Sequence, residues 1–76
     1  MTRQCKIAVG PVEGGWSVFW DAFPEPMMFL SGARAEAQAR ALAHRLSEAG
    51  EDVELTVRDR ARVLVGSTRY CGRELV

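Results

Sequence analysis

The side chains in this chain that can do chemistry are few and scattered. His44 is the lone histidine, four residues from Arg40, and no nearby acid is expected to orient it. A catalytic imidazole needs a nucleophile or a carboxylate partner, so His44 reads as a solvated or boundary residue. Cys5 and Cys71 lie near opposite ends of the sequence, and a thiol becomes reactive where a positive neighbour lowers its pKa. Lys6 and Arg73 are sequence neighbours, but adjacent strand residues point to opposite faces, so the expectation is one partly buried and one frayed thiol. No CxxC pair is present, which argues against zinc, and no other metal or cofactor is expected. Glu13, Asp21 and Glu25 are loop acids flanked by glycine or proline rather than a carboxylate pair held at a fixed distance. The Gly10–Gly15 segment lacks the GK[ST] ending of a phosphate loop and leads into a strand instead of a helix. The chain therefore reads as non-enzymatic.

Aromatic and basic residues carry more signal. Trp16-Ser17-Val18-Phe19-Trp20 is apolar on both faces if extended: Trp16, Val18 and Trp20 on one, Phe19 on the other. One helix can cover only one of these faces, and the other then needs a partner. Trp16, Val18, Phe19, Trp20, Met27 and Phe29 are accordingly the candidate protein interface, with Met28 of similar character. Arg58, Arg60, Arg62 and Arg69 cluster around the last hairpin. Beside the aromatics they are candidate contacts to single-stranded nucleic acid, bases stacking on rings and phosphates meeting guanidiniums. The formal net charge is zero, which excludes a generic nucleic-acid coat and favours protein association, a homodimer or a protein partner, over the nucleic-acid alternative.

The elements that must position these residues can be read from periodicity. Seventy-six residues make one small domain over 1–76, with a thin core and residues 71–76 expected to be loose. Cys5–Val9 alternates as a first strand, with Cys5, Ile7 and Val9 on one face. A turn-rich stretch from Gly10 to Gly15 leads to the second strand, Trp16–Trp20. Pro24 and Pro26 exclude a central strand before Met27–Leu30, a short apolar run suited to a third strand buried on both faces, or packed between core and partner. Ala33–Ala49 is the clearest element, a helix whose apolar stripe runs through Ala35, Ala39, Leu42, Leu46 and Ala49. Ser31 or Gly32 is the expected N-cap, Gly50 the C′ residue, and Glu36–Arg40 an i,i+4 pair. Val53, Leu55 and Val57 alternate with Glu54, Thr56 and Arg58 in a strand with one wet face. A turn at Asp59–Arg62 precedes a last strand from Val63 towards Tyr70.

The order β-β-(β)-α-β-β predicts an α+β domain: an antiparallel sheet of four to five strands with one long helix packed on one face. No run approaches a membrane span, and no signal peptide is recognisable. The expectation is a cytoplasmic protein with reduced cysteines and no membrane partner.

Several of these residues form a familiar pattern: Gly14-Gly15-Trp16-Ser17-Val18, then Ala37, Ala41-Leu42-Ala43 and Leu46, then Gly50, Val53-Glu54-Leu55-Thr56-Val57, Asp59 and Arg69-Tyr70. Across about residues 7 to 70 the chain resembles the small uncharacterised bacterial proteins grouped as domain of unknown function 2188. That resemblance implies a helix on a sheet and no established activity. The chain departs from the pattern at Arg60-Ala61-Arg62, where such proteins often carry glycine, and in the Phe23-to-Pro26 loop, which is longer and more proline-rich.

Overall fold

A computed structural model describes residues 4–72. Among them are five strands and one helix: β1 (Gln4–Val12), β2 (Gly15–Trp20), β3 (Met27–Phe29), α1 (Gly32–Glu48), β4 (Asp52–Arg58) and β5 (Leu64–Tyr70). The fold is α+β, with the helix packed on one face of a single sheet. Strand order is β3-β2-β1-β4-β5. The sheet is mixed, which corrects the antiparallel expectation: β1 and β4 run parallel, in register from Gln4↔Asp52 to Val9↔Val57. The reason is the crossover. β1, β2 and β3 alternate in direction, α1 returns the chain across the sheet, and β4 therefore starts from the same end as β1.

The first hairpin is tighter than its glycines suggest. β1 continues through Gly10, Pro11 and Val12, and pairing reaches Val12↔Gly15, so the turn is only Glu13-Gly14, with Gly14 at φ 82. Pro11 is tolerated because it lies beyond the last β1–β4 pair, where β1 has a neighbour on one side alone. β3 is an edge strand paired to β2 through Trp16↔Phe29 and Val18↔Met27. It is not buried on both faces, since Met28 is exposed and the adjoining Leu30 is out in solvent.

Helix α1 is defined at both ends by its sequence. Ser31 is the N-cap, extended at φ −120, ψ 134, and its Oγ accepts from the Arg34 N–H at 3.3 Å. At the other end the Gly50 N–H donates to the Ser47 carbonyl and the Glu51 N–H to the Leu46 carbonyl, both at 3.0 Å. Gly50 sits at φ 93, so this is the glycine-terminated helix end that its position implies. The buried line of the helix is Ala35, Ala39, Ala43 and Ser47. Leu42 and Leu46 flank it, half-buried, while Ala49 is exposed, so the stripe is rotated from the expected one. Small side chains every four residues let the helix backbone lie close on the sheet. The Ser47 hydroxyl meets this burial by donating to the His44 carbonyl at 2.9 Å.

The core between the layers holds Cys5, Ile7 and Val9 from β1, Val18 from β2, and Val53 and Leu55 from β4. These strands lie centrally, and their alternation sends every second residue towards the alanine line. Trp16, Trp20, Phe29 and Tyr70 pack around that centre. The last turn is closed by Asp59, whose Oδ1 accepts from the Ala61 N–H at 2.8 Å and the Val63 N–H at 3.0 Å. Past β5, the Gly72 N–H donates to Asp52 Oδ1 at 2.7 Å. The remainder of the expected loose tail, 73–76, lies outside the described residues.

Candidate functional site

The helix decides which sheet face is covered. Trp16, Val18 and Trp20 lie on the helix side, joined there by Met27 and Phe29, their β3 partners in register. Val18 is 1% exposed and belongs to the core. Phe19 is the candidate interface residue on the bare side, 45% exposed, with Met28 beside it at 60%. Ring packing fixes the tryptophans further: a Cβ built on Gly32 would come 2.9 Å from the Trp16 ring, so the helix begins with glycine where it crosses the indole.

The bare face alternates in register with the core. It presents Lys6 and Ala8 on β1, Ser17 and Phe19 on β2, Met28 on β3, Glu54, Thr56 and Arg58 on β4, and Ser67 and Arg69 on β5. Its acids gather at one end. There Arg69 lies 3.8 Å from Glu54, and Asp52 holds the Gly72 N–H. At the other end Phe19, Ser17 and Ala8 line a depression of about 400 Å³ with Arg58 and Arg62. Arg58 donates to the Arg62 carbonyl at 3.3 Å, and neither guanidinium forms an ion pair among the described residues. This end of the face is cationic with an aromatic ring at its centre, although the whole chain is neutral.

The four hairpin arginines do not act as one group. Arg58 and Arg62 frame the depression, and Arg69 is drawn to Glu54. Arg60 reaches the opposite, helix-covered side, where its guanidinium lies 5.5 Å from the Trp16 ring centroid. The combined platform of Trp16, Trp20 and Phe19 ringed by arginines is thus split between two faces.

A second depression, of about 270 Å³, lies between α1 and the β2–β3 edge, against Trp20, Phe23, Met27 and Leu42. Sequence reasoning missed Phe23, which sits between two turn residues and Pro24. The Trp20 carbonyl accepts the Phe23 N–H at 3.0 Å, and this turn carries the ring to the edge of the depression. Among the described residues the buried Trp20 Nε1 meets no partner in full hydrogen-bond geometry.

Both cysteines are free, Cys5 buried and Cys71 exposed. Burial pushes the Cys5 thiol up, and its hydrogen bond to Glu51 Oε1 at 3.3 Å and the charge of that carboxylate act in the same direction. The nearby Trp20 indole opposes them without reversing the outcome. This thiol is protonated and inert at neutral pH, the opposite of a nucleophile. His44 does have an acid near it, contrary to the sequence reading: Nε2 lies 3.6 Å from Glu48 Oε1, one helical turn on, with both side chains largely exposed. Glu36 and Arg40 form the expected pair at 2.9 Å. Among the described residues no three potential ligands cluster to hold a metal, and no helix is long and apolar enough to cross a membrane.

Comparisons with protein-family models, curated proteins and solved structures return no match to the chain.

Proposed function

We propose that the protein is a non-enzymatic interaction module that associates with a second copy of itself through its sheet. The observation that carries this reading is the apolar surface that one helix leaves outside the core, Phe19 and Met28 on the uncovered face and the aliphatic end of β5 at the sheet edge. Val63, Leu64 and Val65 add exposed aliphatic surface at the far edge. Large apolar side chains left out of so small a core are more economically explained by association than by chance exposure. Light scattering on the eluting protein, across a range of concentration, tests it. A dimer supports the reading, and a monomer at every concentration overturns it.

A second reading rests on the depression around Phe19. An exposed ring flanked by two guanidiniums without ion pairs is suited to a base and its phosphates in single-stranded nucleic acid. Fluorescence anisotropy of a labelled mixed-sequence oligonucleotide tests this. Binding that weakens steeply with salt and is lost in the double variant Arg58→Ala, Arg62→Ala supports it. No change in anisotropy at low salt removes it.

A further inference from the structure

The two edges of this sheet differ in character. β3 is three residues long, follows Pro24 and Pro26, and lies beside the Asp21–Pro26 loop. Short length and proline are the devices that blunt an edge. β5 has seven residues, Leu64–Tyr70, no proline and a single charged side chain, Arg69. Among the described residues it pairs with β4 alone, which leaves its outer backbone N–H and C=O groups without a strand partner there. Exposed Leu64 and Val65 open the strand, and exposed Val63 precedes it.

We propose that β5 pairs antiparallel with β5 of a second copy, joining two five-stranded sheets into one of ten strands. The inference rests on the self-association reading above and assigns it to the β5 edge with Val63, Leu64 and Val65, not to the face that bears Phe19. The strand is complementary to itself. A two-fold axis near Ser67 sets the aliphatic end of one β5 against the Tyr70 end of the other, so Arg69 meets an aliphatic residue and not its own copy. Stacking of the two bare faces is the competing arrangement, and charge opposes it. Arg58 and Arg62 would be buried, while Glu54 already engages Arg69 and Asp52 already holds the Gly72 N–H. Antiparallel edge pairing keeps both helices on one side and leaves both Phe19 depressions open on the other.

The test is amide hydrogen exchange by NMR on the full chain, at concentrations below and above dimer formation. In an edge-paired dimer, the alternate β5 amides that β4 does not bond slow by at least about tenfold as the dimer forms. The variant Ser67→Lys with Thr68→Lys places like charges on both sides of the new pairing, at positions exposed in the monomer. It is expected to run as a folded monomer, while Phe19→Glu remains a dimer. If the chain dimerises but those amides stay fast, or if Phe19→Glu dissociates the dimer and the lysine pair does not, edge pairing is wrong and self-association stands. If the chain is monomeric throughout, both fall.

Discussion

The Arg60 guanidinium lies 5.5 Å from the centroid of the Trp16 ring, joining the β4–β5 turn to β2 across the covered side of the sheet. Two residues that sequence reasoning assigned to a shared nucleic-acid surface thus hold each other in place. Arg60→Ala is expected to lower stability by about 0.5–1 kcal/mol and to alter tryptophan fluorescence. Oligonucleotide affinity, where measurable, should stay unchanged, in contrast to Arg58→Ala. Equal loss of binding in both variants would return Arg60 to the nucleic-acid surface.

Arg62 adopts φ 64, the left-handed region that side-chain-bearing residues enter at a cost. Arg62→Gly is expected to raise stability by about 0.5–1 kcal/mol, set by relief of the left-handed strain less the entropy that glycine adds to the unfolded chain. Urea denaturation checks it through a higher midpoint at unchanged slope. A lower midpoint would show that the arginine side chain contributes more than its backbone conformation costs.

Cys5 gives the fold an alkaline sensitivity. Its folded pKa is raised above the ordinary 9.0, so between the two values the unfolded chain releases a proton that the folded chain keeps. The contribution is fully present below the unfolded pKa and is lost as pH rises from there through the raised folded value. Melting temperature should therefore fall more steeply above about pH 9 in the natural chain than in Cys5→Ala. At pH 7.5 iodoacetamide should label Cys71 rapidly, and Cys5 only when the protein unfolds. Rapid double labelling of folded protein would contradict the burial of Cys5.

Two glycines of β1 and β2 should respond in opposite ways. A Cβ on Gly15 would collide with the Phe29 carbonyl, whereas one on Gly10 meets nothing within 4 Å. Gly15→Ala is expected to cost about 1–3 kcal/mol by forcing β3 away from β2, and Gly10→Ala to be neutral or mildly stabilising. Paired thermal melts compare them, and an unperturbed Gly15→Ala would mean that β3 is only loosely attached.

Much of this architecture is legible wherever a local rule decides. Alternation places Cys5, Ile7 and Val9 inward and Lys6 outward, and the same holds for Val53–Arg58. Ser31 and Gly50 mark the helix ends because capping is a matter of a few neighbouring residues. What fails is non-local. A strand pattern is the same for parallel and antiparallel neighbours, so the β1–β4 direction is invisible until the crossover is known. Trp16–Trp20 is apolar on both sides, and periodicity cannot choose its covered face. The split of Arg60 from Arg58 and Arg62 depends on the path of a turn, and the Phe19 depression exists only when β1, β2, β4 and that turn converge. The His44–Glu48 pair was readable from its spacing and was overlooked.

The parallel partnership of β1 and β4 also bears on the order in which the chain can be made. β1 is the middle strand, yet Cys5 waits for Val53, and Val9 for Val57, to complete its second side. During synthesis the β1–β2–β3 meander leaves the ribosome with one flank of β1 unsatisfied and its apolar side uncovered, a state open to premature pairing with other nascent chains. The helix emerges next and shields that side, and β4 then closes the flank. Folding of this small protein is thus gated by its second half: a nascent chain whose β4 has not emerged can have its hairpin but not its fold.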